Sequence, residues 1–213
     1  MTRPRVLLAD DHRILAEGVR GLLEPEFELV GIVSDGRELV EAALKLRPDV
    51  IVTDITMPSL NGIDAVARIR EAGLSCGVVF LTMQRDVSYA RRAMEAGASG
   101  YVLKHSAHDE LVRAIRDALL GRTYVTPLIA GELLRSYRDE GPQTTDEARR
   151  LTPRQREVLQ LSAEGRSAKQ VASLLHISAR TAEFHRARAM KVLGVKTSAE
   201  LVQYAIRNGL ISV

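Results

Sequence analysis

Short apolar runs alternate with amphipathic stretches over the first 120 residues, and this alternation restricts the chain to very few folds. The apolar runs predict strands at 5–10, 28–34, 50–54, 77–82 and 100–104. The amphipathic stretches predict helices at 12–24, 36–46, 64–72, 88–96 and 109–120. Strands that alternate with helices form parallel sheets, because each crossover helix covers one face of the sheet. We therefore predict an α/β domain at residues 1–120, built on an open, doubly wound (βα)5 sheet.

The alternation stops after residue 120. Residues 121–148 include a polar stretch with Gly141 and Pro142, and we interpret this range as a linker. Residues 149–213 have helical patterns only, which predicts a second, all-α domain of four helices at 153–163, 168–175, 179–193 and 198–208. The second and third of these helices are separated by a short turn, so they form a helix-turn-helix unit.

The net charge of +3 is divided unevenly along the chain. Residues 1–150 hold 20 Lys and Arg against 23 Asp and Glu, a net charge of −3, whereas residues 151–213 hold 10 against 4, a net charge of +6. A small basic domain is typical of proteins that bind a polyanion such as double-stranded DNA.

The sequence also indicates where the protein acts. It has no apolar stretch approaching ~20 residues and no signal-peptide pattern at its start. Its one cysteine, Cys76, has no partner for an internal disulfide. We therefore expect a cytoplasmic protein without a membrane partner.

Polar residues follow the predicted strands of the first domain. The carboxyl ends of parallel strands meet at one edge of the sheet, where ligands bind. Three carboxylates at such an edge would repel one another, and Mg²⁺ is the cation that suits them and also binds phosphates. Asp54, which ends a buried strand, is the predicted nucleophile toward a phosphoryl group. The strand-end residues are Asp10, Asp11, Asp54, Thr82 and Lys104, and the carbonyl of Thr56 is a further expected metal ligand.

These residues carry a resemblance. Asp10 and Asp11, Asp54 with Met57-Pro58 and Asn61-Gly62, Thr82, and Gly97 to Tyr101 with Lys104 resemble the receiver domain of bacterial response regulators, a flavodoxin-like fold. The resemblance implies that a sensor histidine kinase phosphorylates Asp54. It also implies Mg²⁺ held by Asp11, Asp54 and the Thr56 carbonyl with Asp10 nearby, phosphate contacts from Thr82 and Lys104, and a switch role for Tyr101. His105 stands where the family commonly has proline.

The second domain resembles the LuxR-type helix-turn-helix. The matching stretches are Leu151 to Leu159, Ala163 to Ser167, Ile177-Ser178, Thr181, His185-Arg186 and Lys191 to Val195. With a receiver domain in front, the whole chain resembles the NarL/FixJ-family response regulators, which implies a homodimer on paired DNA half-sites. The third helix of the domain is then the recognition helix, with expected DNA contacts from Arg180, Thr181, Glu183, His185, Arg186, Arg188 and Lys191.

Two features of this domain leave alternatives open. Ala182 and Glu183 stand where the family usually has Val and often has Lys. Glu183 either accepts a hydrogen bond from a cytosine N4, or is turned to solvent or paired with Arg186 or Arg188. The last helix either forms the dimer contact or packs within the domain, through Leu201, Val202, Ala205 and Ile206.

We therefore predict a two-component response regulator, not an enzyme, in which phosphorylation of Asp54 controls sequence-specific DNA binding and transcription. The complete polar set argues against a receiver that takes no phosphoryl group. A Mg²⁺-dependent phosphatase would need an acid/base carboxylate two residues after its nucleophile, where Thr56 stands. A small-molecule-sensing LuxR-type protein is disfavoured by the acidic edge. Whether phosphorylation unmasks the recognition helix or promotes dimers is left open.

Overall fold

The computed structural model describes residues 2–139 and 151–211, which form two domains. The first domain alternates strands and helices throughout. Its strands are β1 (Arg5–Ala9), β2 (Glu28–Val33), β3 (Val50–Thr53), β4 (Gly77–Thr82), β5 (Gly100–Leu103) and β6 (Tyr124–Val125). Its helices are α1 (Arg13–Leu23), α2 (Gly36–Leu46), α3 (Gly62–Glu71), α4 (Val87–Glu95), α5 (Ala107–Leu119) and α6 (Pro127–Asp139), with a 3₁₀ turn at Lys104–Ser106.

All strands of the first domain pair in parallel, in the order β2-β1-β3-β4-β5-β6. Helices α2, α3, α4 and α6 contribute to the apolar core on one face of the sheet, and α1 and α5 to the core on the other. Strand β3 lies between β1 and β4 and is buried along its whole length, in agreement with its apolar residues Val50, Ile51 and Val52. The predicted doubly wound fold is confirmed.

The predicted linker differs from the structure at its beginning. Within residues 121–139, β6 adds a sixth strand beside β5, and α6 buries Ile129 and Leu133 against the first domain. These residues therefore belong to the first domain. The rest of the predicted linker, 140–148, lies outside the described residues.

The second domain is all α-helical, as predicted. Its helices are α7 (Pro153–Ala163), α8 (Ala168–Leu175), α9 (Ala179–Val192) and α10 (Ser198–Arg207). The hydroxyls of Thr152, Ser167 and Ser178 cap the first three of these helices by accepting from backbone N–H groups. His176 adopts a left-handed conformation, with a φ of 52°, and so turns the chain from α8 toward α9. This turn fixes the helix-turn-helix geometry.

Candidate functional site

Carboxylates converge at the carboxyl edge of the sheet, as the sequence predicts. Asp10 and Asp11 directly follow β1, and Asp54 directly follows β3, the neighbouring strand. Ligand atoms of these three residues and His12 all lie within 4.8 Å of one another. Asp10 and Asp54 are only 3% and 5% exposed, whereas the His12 side chain is largely exposed. The edge therefore concentrates negative charge in a nearly closed site.

Lys104 brings its ammonium group into this acidic site. Its Nζ donates to Oδ2 of Asp54 at 2.6 Å and lies 2.8 Å from Oδ2 of Asp10. The other oxygen of Asp54, Oδ1, accepts from the backbone N–H of Ile55 at 2.6 Å. Both oxygens of Asp54 are therefore held, so the carboxylate has a fixed orientation.

Burial and charge act in opposite directions on this pair. Burial raises the pKa of Asp54 above its usual value, although the Lys104 charge and hydrogen bond oppose that rise. Burial by itself would lower the pKa of Lys104, but the charges and hydrogen bonds of Asp54 and Asp10 outweigh it and raise that pKa. Lys104 thus stays protonated, and its charge and hydrogen bond oppose the effect of burial on the pKa of Asp54.

The donor set fits a divalent cation. Asp10, Asp11 and Asp54 offer hard carboxylate oxygens close enough together to share one ion. The Lys104 ammonium bonds to two of them, which is the charge compensation expected where anionic oxygens converge. Thr56 lies on the same loop as Asp54, its backbone N–H 3.4 Å from the Asp54 Oδ1.

Neither Thr82 nor Tyr101 is hydrogen-bonded to Asp54, but both bond to another residue. Thr82 ends β4 and accepts from the backbone N–H of Gln84 at 3.2 Å. Tyr101, on β5, is fully buried, and its hydroxyl donates to the carbonyl of the same Gln84 at 2.8 Å. Burial is also the main reason why the pKa of Tyr101 is raised, so its hydroxyl remains a donor. Gln84, which sequence reasoning did not single out, links the predicted phosphate contact to the predicted switch residue.

The loop after Asp54 contacts the second domain. The Thr56 hydroxyl and the Asn61 side-chain amide both donate to the carbonyl of Gly209, at 3.2 and 3.0 Å. Tyr89 on α4 donates its hydroxyl to the carbonyl of Arg207 at 3.0 Å. The turn that ends α10 is therefore held against the loop between β3 and α3 and against α4.

Helix α7 extends this contact. The buried Gln160 accepts from the backbone N–H of Asn61 and donates to the carbonyl of Met57, both at 2.8 Å. Glu164, one turn further along α7, accepts from the backbone N–H of Ser59 at 2.9 Å. Side chains of the second domain thus satisfy backbone groups of the loop that begins at Asp54. No sequence pattern indicated these contacts.

Ion pairs also join the two domains. Arg156 on α7 pairs with Asp64 on α3 at 2.9 Å. Glu157, whose side chain is 2% exposed, pairs with Arg68 on α3 and with Arg154 on its own helix. Burial, followed by the neighbouring Arg37 and Arg154 charges, lowers the pKa of Arg68. The carboxylates of Asp64 and Glu157 therefore form the ionic part of the contact.

Helix α9, the predicted recognition helix, presents a basic outer face. Its exposed side chains recur at helical spacing and are Arg180, Glu183, Phe184, Ala187, Arg188 and Lys191. Among the described residues, no ion pair joins Glu183 to Arg186 or Arg188, so the paired alternative for Glu183 is not observed. None of the contacts between the two domains described above involves α9. Its outer face is therefore accessible while the domains are in contact.

The remaining residues expected at the DNA interface are turned toward the domain itself. Thr181 shares a 2.8 Å hydrogen bond with the Ser178 hydroxyl as part of the helix cap. Arg186 donates to the hydroxyl of Ser198 at 2.8 Å, which ties α9 to α10. His185 is half-buried and packs edge-on against Phe184. Phe184 and Arg188 are more exposed than these three, and Phe184 is absent from the predicted set of DNA contacts.

Helix α10 divides its apolar residues between the core and the surface. Leu201 and Ala205 are buried in the core of the second domain, which agrees with packing inside the domain. Val202 is half-buried, and Ile206 is 38% exposed. Of these four apolar residues, Val202 and Ile206 are therefore the two available to a second copy of the chain.

Comparisons with known proteins cover both domains. Residues 6–116 match the response regulator receiver domain, and residues 149–205 match the luxR family of bacterial regulatory proteins. The transcriptional regulatory protein MctR of Rhizobium johnstonii is 36% identical over 98% of this chain and 95% of its own length. The oxygen regulatory protein NreC of Staphylococcus epidermidis is 33% identical over 97% of this chain and 99% of its own. A structure of RcsB dimers bound to DNA is 27% identical, with a TM-score of 0.60 over 95% of this chain and 98% of RcsB.

Proposed function

The chain belongs to the response regulators that join a receiver domain to a LuxR-type DNA-binding domain, and we propose that a phosphoryl group on Asp54 controls its binding to DNA. It is accordingly a two-component transcription regulator of the NarL/FixJ type. The observation that carries the proposed role of Asp54 is the orientation of its carboxylate, fixed between the Ile55 N–H and Lys104 beside Asp10. We infer no separate enzymatic activity.

Asp54 accepts the phosphoryl group by nucleophilic attack. A carboxylate oxygen forms a bond to phosphorus while the bond from phosphorus to the donor nitrogen of a sensor kinase histidine breaks. Lys104 then bonds an oxygen of the transferred group instead of the free carboxylate, and Thr82 bonds another. Because Thr82 accepts from Gln84 in the unmodified chain, its movement would alter the loop that Tyr101 also holds.

Receiver domains generally bind Mg²⁺ at an acidic site of this kind. We propose that Asp10, Asp11, Asp54 and the backbone carbonyl of Thr56 hold it. When bound, Mg²⁺ neutralises negative charge between the carboxylates and the phosphoryl oxygens. The residues of the chain position the acceptor oxygen and exclude water, since Asp10 and Asp54 are almost fully buried.

Phosphoryl transfer from a small donor tests the assignment. The full chain is incubated with phosphoramidate and Mg²⁺, and intact-mass spectrometry measures the added phosphoryl group. We expect one group on the wild type, none on Asp54→Asn, and slower uptake by Asp11→Asn, which lacks one metal ligand. Asp109→Asn, on the exposed surface of α5, is the matched control and should be phosphorylated normally. Phosphorylation of Asp54→Asn would assign the acceptor elsewhere.

The second domain binds duplex DNA through α9. We propose that Arg180, Arg188 and Lys191 contact phosphates or base edges, since they are exposed on one face of the second helix of a helix-turn-helix. Arg186, His185 and Thr181 would act mainly by positioning α9. Loss of one phosphate contact reduces the slope of log affinity against log salt concentration by about one. We therefore expect a smaller slope for Lys191→Ala and an unchanged slope for Lys45→Ala, a substitution on α2. Equal slopes for the wild type, Lys191→Ala and Lys45→Ala would contradict this orientation of α9.

We propose that phosphorylation releases the contact between the two domains. The loop that follows Asp54 donates to Gly209 and to Gln160, so a rearrangement around the acceptor directly changes this contact. The outer face of α9 is accessible in the closed arrangement, which favours reorientation and dimerisation of the released domain over unmasking of the recognition helix. RcsB binds DNA as dimers, and we propose a homodimer on paired half-sites here, with Val202 and Ile206 of α10 in its interface.

The location follows from the partners. Among residues 2–139 and 151–211, no helix is both long and apolar enough to cross a membrane. Because a sensor histidine kinase and duplex DNA must both reach the chain, we propose that it acts in the cytoplasm.

A further inference from the structure

An aromatic side chain lies at the surface of α9. Phe184 is 57% exposed, whereas the valine and leucine side chains of α7 and α8 are buried in the domain core or packed against it. Removal of apolar surface from water is favourable, and the protein by itself leaves more than half of the Phe184 side chain exposed. The ring therefore has apolar surface available to a binding partner.

The surroundings of Phe184 indicate the nature of that partner. One helical turn before and after it stand Arg180 and Arg188, and the Arg188 guanidinium lies 6.0 Å from the centre of its ring. Phe184 also lines an open groove of about 610 Å³ with Ala187, Arg188, Lys191 and Val192. Glu183 is the one acidic residue in α9, so the charge of this face is complementary to a polyanion.

A duplex offers one apolar group to such a surface. In the major groove, the 5-methyl group of thymine is the apolar feature that distinguishes its base pair from the others, and phenylalanine is among the side chains that contact it. Cytosine, the other pyrimidine, presents an amino group and no methyl group. Because Phe184 stands among the cations that would contact phosphates, its ring would face the base edges rather than solvent.

We propose that Phe184 packs against the 5-methyl group of a thymine and makes the protein prefer thymine at one position of each half-site. This inference rests on the proposed DNA-binding role of α9. It assigns to Phe184 a specificity function that the cations of the helix do not provide where they contact phosphates, because phosphate contacts carry no sequence information.

The test removes a single methyl group from the DNA. Duplexes bound by the full, phosphorylated chain are first selected from a randomised pool. Each thymine of the selected half-site is then replaced in turn by deoxyuridine, which differs only in lacking the 5-methyl group, and affinities are measured by fluorescence anisotropy. We expect one position at which this loss weakens binding about fourfold, the value for one buried methyl-sized group. At the same position, 5-methylcytosine should bind more tightly than cytosine.

Protein variants connect that effect to Phe184. In Phe184→Ala, thymine and deoxyuridine duplexes should bind equally, and Phe184→Leu should retain part of the preference. Lys191→Ala should weaken binding of both duplexes by the same factor. Because the ring is more than half exposed, its replacement leaves the domain core intact, which thermal melting of each variant checks.

Two results would overturn the inference. No thymine sensitive to deoxyuridine in the wild type would exclude a methyl contact, and an unchanged preference in Phe184→Ala would assign that contact to another residue. Both results are compatible with salt-dependent DNA binding by α9, so the proposed function would stand. Absence of any salt-dependent duplex binding, by contrast, would defeat the proposed function and this inference together.

Discussion

Gln160 offers the sharpest test of how the two domains are held together. Its side chain is 1% exposed and makes one hydrogen bond with the Asn61 N–H and another with the Met57 carbonyl, both across the contact. Gln160→Ala removes both bonds. A neutral hydrogen bond contributes roughly 1 kcal/mol net, and a buried group left without a partner costs about 1–3 kcal/mol. Because water has partial access to the loosened contact, we expect the free energy that holds the domains together to fall by about 1–3 kcal/mol. The population with separated domains would then increase about 5- to 150-fold.

Amide hydrogen exchange measured by NMR provides the assay. The Asn61 N–H loses its acceptor directly, so it will exchange faster whether or not the domains separate. The Ser59 N–H is bonded to Glu164, but the same Glu164 oxygen also accepts from Gln160 at 3.0 Å, so exchange at Ser59 is read together with the radius of gyration, which reports on the contact as a whole. We expect faster exchange at Ser59 in Gln160→Ala, together with a larger radius of gyration in X-ray scattering. Amides within α9, such as that of Ala189, should be unaffected, which shows that the second domain remains folded.

The matched control is Gln203→Ala, which removes an exposed glutamine from α10 in the same domain. It should leave exchange at Ser59 and the scattering profile unchanged. If Gln160→Ala accelerates exchange at Asn61 alone, with Ser59 and the radius of gyration as in the wild type, Gln160 does not hold the domains together and the reasoning fails.

Further predictions concern the acidic site and the ion pairs. Asp54→Asn should raise the melting temperature in metal-free buffer at neutral pH, because a pKa raised by burial means that the ionised carboxylate destabilises the fold. The difference in melting temperature between Asp54→Asn and the wild type should shrink as the pH falls through the raised pKa. Equal melting temperatures at neutral pH would mean that the ionised Asp54 does not destabilise the fold. Lys104→Gln should raise the pKa of Asp54 further in a ¹³C NMR titration, since the opposing cation is lost; an unchanged pKa would mean that Lys104 does not act on Asp54. Asp64→Asn removes the partner of Arg156, a partly exposed ion pair, and should open the domain contact about fivefold, measured by exchange at Ser59. Asp109→Asn should not change exchange at Ser59. Equal exchange in the two variants would mean that the ion pair of Arg156 and Asp64 does not stabilise the contact.

Much of the first domain was predictable because its signals are local. The apolar run from Val50 to Val52 indicates a strand buried on both sides, and residues that follow parallel strands must share one edge of the sheet. Asp10, Asp54 and Lys104 could therefore be placed together before their distances were known. Strand β6 was not predicted because a strand of two residues is too short to show a periodic pattern. Helix α6, which follows it, packs against the first domain through the buried Ile129 and Leu133.

The sequence by itself determined the two folds and the acidic site, since strand order, helix caps and charge depend on residues near one another in the chain or on one edge of a sheet. Only the tertiary structure decided which face of α9 is free. Helix α9 turns Arg186 toward Ser198 and Phe184 toward solvent, because burial of Ala182 and Ala189 fixes its rotation. The same holds for the contact of Gly209 with Asn61, which joins residues 148 positions apart. No local pattern specifies such a contact, because it depends on how two complete surfaces fit.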